Sequence, residues 1–242
     1  MDSDIFRENT VDFYDKESGE YSKKRYEGKT LSYFQFLFKR RRQLFLGFIG
    51  GISKSLKDSD VLEIGCADGV LIKKLFQKLP NTFRSITGVD VSPKMLDRAR
   101  ETTKDYRAKY FLRGEEPIQK YDLVIELGVH TQSFEEEMFY VAEKLNLGGY
   151  FIYSVSGSQS LHAKIKLKGK DYAKDYLSYS GYENIIKKYF DVVAHESYGL
   201  FVPKLWAIPT LANLVQPMLE ALFKNILPNL FHEKIYLLRK KA

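Results

Sequence analysis

Nine consecutive residues concentrate the chemistry of this chain: Val61-Leu62-Glu63-Ile64-Gly65-Cys66-Ala67-Asp68-Gly69. They read as a short apolar strand with a carboxylate near its end, a tight turn of small residues, and the start of a helix. About twenty residues on, at the spacing of a nucleotide site, Ile86-Thr87-Gly88-Val89-Asp90 is a second strand that ends in an acid. Small residues let backbone approach a ligand closely, and a carboxylate closing the next strand can accept from both hydroxyls of a ribose. This is the chemistry of a nucleotide-type cofactor site.

The glycine spacing narrows the choice of nucleotide. A dinucleotide site needs glycine at the first, third and sixth turn positions, the last so that the helix can pack on the sheet and offer its N-terminus to a pyrophosphate. Here those positions hold Gly65, Ala67 and Val70, and the β-branched Val70 serves a pyrophosphate badly. No Gly-Lys-Ser/Thr follows, which excludes a P-loop.

The elements that must position these residues alternate. Val61–Ile64, Ile86–Val89, Lys109–Leu112, Tyr121–Leu127 and Tyr150–Ser154 are strand-like, and Tyr121–Leu127 is apolar enough to be buried on both faces. Between them, Asp68 can cap a helix over 69–79, and Ser92-Pro93 pairs a capping hydroxyl with proline at the first helical position. Ser133-Phe134-Glu135-Glu136 is a capping box opening a helix to about Leu145. This is the βαβ rhythm of an α/β fold with a doubly wound parallel sheet. Upstream, Phe34, Phe38, Leu44, Phe45 and Phe48 suit an amphipathic helix over 31–48 that carries Arg40-Arg41-Arg42 and ends at Gly50-Gly51. Downstream, a helix over 181–189 and strands over 192–196 and 234–238 close the chain, the last pair suited to antiparallel pairing at one sheet edge.

The run Glu63-Ile64-Gly65-Cys66-Ala67-Asp68-Gly69 matches acid-x-Gly-x-Gly-x-Gly with Ala67 in place of the middle glycine, and it resembles the first motif of class I S-adenosylmethionine-dependent methyltransferases. Gly88-Val89-Asp90-Val91-Ser92, Tyr121-Asp122-Leu123-Val124 and Leu147-Gly148-Gly149-Tyr150 follow in that family's order and spacing, so the resemblance covers 58–156 well and the rest in outline. It implies a Rossmann-like, doubly wound seven-stranded sheet in three α/β/α layers, with the last strand pair antiparallel. It implies S-adenosyl-L-methionine as cofactor and S-adenosyl-L-homocysteine as product. By the same resemblance Glu63 organises the turn, and the backbone of Gly65, Cys66, Ala67 and Gly69 faces the methionine portion. Asp90 takes the ribose hydroxyls, Val91 and Met95 pack on the adenine, Glu115 or its neighbour Glu116 meets the adenine amine, and Glu126 and Leu127 end their strand beside the methyl group. Cys66 on its own reads as a small buried residue in a tight turn rather than a reactive thiol.

Methyl transfer from a sulfonium mainly requires alignment and exclusion of water, while a hydroxyl acceptor also needs a base. His130, just past the fourth strand, is the best-placed candidate, and a backbone-bonded loop histidine is its bland alternative. His162 is a weaker candidate, and His195 and His232 on the closing strands read as structural. The place after the fourth strand lacks Asn/Asp-Pro-Pro-Tyr, no second cysteine is present, and no metal-binding cluster can be assembled. These absences favour small-molecule, sugar or lipid-linked acceptors over nucleic acid.

Two segments bear on the acceptor. The lysines of 164–170 could meet a phosphate or carboxylate, or form a solvated lid. From Phe201 to Phe231, Trp206, Ile208, Leu211, Leu214, Val215, Met218, Leu219, Leu222 and Phe223 recur at helical spacing. That stripe reads first as core, and alternatively as a site for an acyl or isoprenoid chain at a membrane surface. Residues 1–30, with Tyr14, Tyr21 and Arg25, form an N-terminal segment that either folds as a lid or trails as a tail. Residues 31–242 form the methyltransferase domain, with a cofactor half over 58–156 and acceptor-side elements over 157–231.

Composition sets outer bounds. With 242 residues and 44% apolar content, the chain can bury one sizeable core. Its 38 Lys plus Arg against 31 Asp plus Glu give +7, which permits anionic partners without selecting one. RNA methylation and non-catalytic cofactor binding in a partner protein stand as rival readings on this account. One cysteine, an acidic N-terminus and the absence of a long apolar run lead to the expectation of a soluble, cytoplasmic protein of undetermined oligomeric state.

Overall fold

The computed structural model describes residues 3–129, 131, 133–166 and 176–241. Seven strands form one sheet in the order β3-β2-β1-β4-β5-β7-β6. They are β1 (Ser59–Ile64), β2 (Phe83–Asp90), β3 (Ala108–Leu112), β4 (Tyr121–Leu127), β5 (Leu145–Ser156), β6 (Phe190–Leu200) and β7 (Phe231–Lys240). β1 to β5 run parallel, with Glu63 beside Gly88 on one side and Ile125 on the other, while β7 is antiparallel to both β5 and β6. The order reverses between β1 and β4, so the crevice outside their carboxyl ends is the place where such a sheet receives a ligand.

Helices cover both faces. α1 (Ser3–Glu17), α2 (Tyr21–Tyr26) and α3 (Tyr33–Ile52) precede the sheet; α4 (Val70–Lys78), α5 (Pro93–Thr102) and α6 (Phe134–Lys144) fall between strands. α7 (Leu161–Lys166), α8 (Tyr179–Tyr189), α9 (Pro203–Trp206) and α10 (Pro209–Phe223) follow β5 in the chain. On one face Phe45 and Ile49 of α3, Ile72 and Leu75 of α4 and Leu96 of α5 pack on Val61, Ile86 and Ile125. On the other, Met138 and Val141 of α6 and Ile186 of α8 pack on Leu62, Val124 and Phe151. The alternating residues of each central strand thus supply both cores, which is why β4 is covered on both faces.

Ser32 starts α3 through a reciprocal capping box with Gln35, and the helix continues through Gly50-Gly51 to Ile52 rather than ending there. The cost of a helical glycine is about 1 kcal/mol, and burial of Ile49 and Ile52 beyond them outweighs it. Ser92 and Ser133 cap α5 and α6 as the sequence implies, whereas the residue that opens α4 is Gly69, without a side-chain cap from Asp68. The N-terminal segment, which shows little periodicity, contains two helices, and α1 packs against α5.

Candidate functional site

The turn after β1 is stitched to its neighbour: the amides of Gly65 and Cys66 both donate to the carbonyl of Val89, at 2.8 and 3.0 Å. Gly65 is left-handed with φ +69°, and a side chain there would sit 2.4 Å from a methyl of Val129. Glycine is therefore what allows the β1 turn to approach the segment leaving β4. Ala67, in the middle-glycine place, also adopts positive φ, +45°. The backbone path survives the replacement, at the steric cost an L-residue meets in that region.

Asp90 holds this path. Its Oδ2 accepts from the Ala67 amide at 2.9 Å and its Oδ1 from the Ser92 amide at 3.0 Å, with 7% of the residue exposed. Burial raises its pKa, and the amides of Ser92, Ala67 and Val91 oppose that shift. Each carboxylate oxygen keeps one lone pair, the acceptor count that a pair of vicinal hydroxyls requires. Met95 is buried beneath this corner and Val91 is half-buried at its edge. An adenosyl group fits this donor set: an anchored carboxylate, a left-handed turn that presents backbone, and an apolar neighbour.

The other acids differ in kind. Glu63 is buried with Oε2 unpartnered, and burial together with Asp68 and Asp90 pushes its carboxyl well up. Glu126 is buried at the end of β4 with neither oxygen partnered, and burial beside Glu137 pushes it up strongly. Glu116 is committed to Lys144, Tyr140 and the Gly114 amide, while Glu115 stands exposed on the same turn. Cys66 is buried, and that burial raises its thiol pKa, which keeps it protonated.

α1 and α2 close over the turn from outside. Ser22 donates to Asp68, and Ser92 donates to Asp15. Arg25 pairs with Glu17 at 2.9 Å and lies 3.7 Å from the ring centroid of Tyr21.

Beside the turn lies a cavity of ≈ 240 Å³, reached by Gly128, Val129 and Thr131 after β4, Ser154 of β5, Phe34 and Arg41 of α3, and His232 of β7. Phe38, Phe134, Tyr153 and Tyr182 give it aromatic walls. Arg41 is turned inward from the basic run. It donates to both carboxylate oxygens of Glu233 and to the Tyr198 hydroxyl. The pair is self-neutralised, so it selects no anion by itself. Ser154 Oγ is buried without a partner at the same wall.

His232 and His162 stack at 4.0 Å between ring centroids, and Tyr33 stacks on both. Burial pushes His232 down to about 3 and His162 down to about 4. Tyr33 has one hydroxyl proton and gives it to the Gly199 carbonyl at 2.9 Å, so its 2.9 Å contact with His232 Nδ1 is one in which the ring donates. That fixes the Nδ1–H tautomer and leaves the Nε2 lone pair without a partner among the described residues, on a ring that lines the cavity.

The structure places Glu63, Gly65, Ala67, Gly69, Asp90 and Leu127 at or just beyond the carboxyl ends of the neighbouring strands β1, β2 and β4. His130 lies outside the described residues, as do Lys168 and Lys170; Lys164 and Lys166 are exposed on α7. His195 is on β6, 6.1 Å from the ring of Tyr236. His232 is the cavity residue that its position on a closing strand concealed, because only the antiparallel return of β7 beside β5 carries it there. The apolar stripe of α10 differs from the core reading: Leu214, Met218 and Leu222 are 74%, 66% and 62% exposed. Among the described residues no helix is long and apolar enough to cross a membrane, and no group of acids, histidines and cysteine could hold a metal ion.

Residues 62–146 match the family model of a methyltransferase domain. The polyketide synthase-nonribosomal peptide synthetase ffsA of Aspergillus flavipes is 33% identical over 105 residues, 38% of this chain and 3% of that protein. Malonyl-[acyl-carrier protein] O-methyltransferase 1 of Ilyobacter polytropus is 27% identical over 113 residues, 44% of this chain and 41% of that protein. The chain thus spans less than half the length of these curated relatives. Among solved structures, magnesium protoporphyrin IX methyltransferase from Synechocystis PCC 6803 with bound SAM shares the fold at TM-score 0.64 and 13% identity, over 98% of this chain and 97% of that one.

Proposed function

We propose that the chain is a class I S-adenosylmethionine-dependent methyltransferase that transfers a methyl group to oxygen or nitrogen of a small-molecule, sugar or lipid-linked acceptor bound in the 240 Å³ cavity. The observation that carries the reading is the Asp90 carboxylate, held by the Ala67 and Ser92 amides at the mouth of a left-handed turn. S-adenosyl-L-methionine supplies a methyl already activated on a sulfonium. The protein's part is then to bind, align and exclude water.

In this reading Asp90 accepts from the two ribose hydroxyls with its remaining lone pairs. The backbone from Gly65 to Gly69 faces the methionine portion, Met95 and Val91 bound the adenine, and Glu115 reaches its amine while Glu116 braces the turn. Glu63 organises the turn, and Glu126 and Leu127 end β4 beside the methyl. Residues 1–30 act as a lid, tied down by Ser22 on Asp68 and by Asp15 on Ser92. The aromatic walls orient the acceptor. Its departing proton goes to His130, which follows the cavity-lining Val129.

The relatives act on different acceptors, to judge by a malonyl-[acyl-carrier protein] O-methyltransferase and a magnesium protoporphyrin IX methyltransferase. The aromatic walls and ≈ 240 Å³ volume of the cavity favour a small or chain-borne group over a nucleic acid. Calorimetry with S-adenosylmethionine, S-adenosylhomocysteine and NAD tests the cofactor, and transfer of labelled methyl groups to candidate acceptors tests the reaction. Binding of NAD with neither of the others would overturn the proposal.

A further inference from the structure

α10 is amphipathic in the inverted sense. Its polar side chains turn inward: Gln216 is 0% exposed and donates to the Leu200 carbonyl at 2.6 Å. Glu220 is 3% exposed and accepts from the Gly199 amide at 2.8 Å, with Arg40 at 3.5 Å. Asn213 donates to the Leu31 carbonyl at 2.7 Å. These polar contacts fasten the helix to β6 and α3. The opposite side consists of Leu211, Leu214, Met218 and Leu222, continued beyond the helix by Ile226, and all five face solvent. In a water-facing helix the polar residues would look outward. A patch of this kind, set opposite polar anchors that bond to the sheet edge, marks a surface meant to be covered.

The charge around the patch identifies what covers it. From Pro203 to Leu230 the chain holds a single carboxylate, the buried Glu220, and two lysines, Lys204 and Lys224. Lys224 pairs with Glu196, and Lys204 is exposed on α9 without an ion-pair partner among the described residues. Lys166 at the end of α7 lies 5.9 Å from the ring of Phe201, whose ring is 4.8 Å from Tyr33, and Tyr33 is 5.3 Å from Trp206 of α9. Among the described residues the patch is thus flanked by one unpaired cation, Lys204, and the ring of Trp206, with no exposed carboxylate from Pro203 to Leu230. A second copy meeting this face through a two-fold axis would set the same cations against each other. A bilayer with anionic headgroups matches both parts: apolar side chains enter the acyl boundary, and lysines meet phosphates.

We propose that α10 docks the protein peripherally on an anionic phospholipid bilayer through its outward apolar face. The cavity lies close by. Phe34, half exposed, lines it three residues from Leu31, the residue whose backbone is tied to Asn213. Docked this way, the protein receives a lipid-borne acceptor from the membrane side. Only that last statement rests on the methyltransferase reading; the docking does not.

The test is co-sedimentation of the full chain with vesicles of equimolar phosphatidylcholine and phosphatidylglycerol, and with phosphatidylcholine alone. The variant is L214E/M218E/L222E, whose three positions are solvent-exposed. We expect the wild type to bind anionic vesicles, with weaker binding to the neutral ones. The variant should lose at least about tenfold in affinity, since each glutamate removes one inserted apolar side chain and adds a repelled charge. S-adenosylhomocysteine binding by calorimetry should be unchanged in the variant, which certifies its fold. A wild type that ignores anionic vesicles, or a variant that binds them equally, overturns the docking. So does a dimer in sedimentation equilibrium that the variant dissolves without any vesicle binding by the wild type. Absence of S-adenosylhomocysteine binding by the wild type would instead count against the methyltransferase reading and leave the vesicle result standing.

Discussion

Asp90→Asn probes the proposed ribose site at its tightest point. The carboxylate has two duties, because Oδ2 and Oδ1 accept from the Ala67 and Ser92 amides at 2.9 and 3.0 Å while the other lone pairs are left for a ligand. Asparagine offers one acceptor oxygen and one donor group, so one backbone amide meets a donor instead of an acceptor. Leaving one buried amide unsatisfied costs about 1–3 kcal/mol, and it falls on the turn itself. On the ligand side one hydroxyl loses a charged acceptor, worth about 1.5–3 kcal/mol, and the other faces a neutral one. The turn cost falls on free and bound protein alike, so the ligand-side loss sets the change: S-adenosylhomocysteine binding weakens by roughly 10-fold to 160-fold. Isothermal calorimetry measures the affinity, and a thermal melt of the same sample shows that the fold persists. Binding within about threefold of wild type on an intact fold, far short of the loss of one charged hydrogen bond, would refute the assignment of Asp90 to the ribose.

Three further perturbations follow from the geometry. Arg41→Met strands the buried Glu233 carboxylate and should cost about 3–5 kcal/mol in urea unfolding, whereas the double change Arg41→Met with Glu233→Leu should recover most of it; equal losses in both would show that the pair is not the stabilising unit. Gly65→Ala forces a side chain to 2.4 Å from Val129 in a left-handed backbone, so it should cost about 2–4 kcal/mol and most of the cofactor affinity. Adding Val129→Ala should restore part of both, since it removes the collision and leaves the strain. His232 and His162, pushed down to about 3 and about 4, should show no imidazole titration by NMR between pH 8 and pH 5. Because these folded values lie below an unfolded value near 6.5, the rings' contribution is fully present above pH 6.5 and is lost as pH falls towards 4. At pH 5 the loss is about 2 kcal/mol for each ring, so His232→Gln should flatten the pH dependence of the urea midpoint by that amount.

Much of the cofactor corner was legible because its chemistry is local. Glu63 to Gly69 and Asp90 are separated by one βαβ unit, whose register follows from strand length and helix caps, and the structure places Asp90 on the amide of Ala67. Ser92-Pro93 and Ser133 announced α5 and α6 because a cap is a contact between residues three apart. The acceptor side was not legible, since nothing near His232 in sequence says that β7 returns antiparallel beside β5. Gly50-Gly51 read as a stop because the propensity of two glycines is visible in sequence, and the burial of Ile49 and Ile52 is not.

α10 shows the division most plainly. Its sequence determines that a helix forms with one apolar side and one polar side. Which side faces water depends on whether Gln216 and Glu220 find partners, and those partners are backbone groups of Gly199 and Leu200, brought there by the sheet edge. The sequence by itself determined the cofactor turn, its companion acid and the alternating strands, all of which depend on neighbours along the chain. The tertiary structure alone decided the cavity, the tautomer of His232 and the outward apolar face, because each depends on groups that meet only after the sheet has closed.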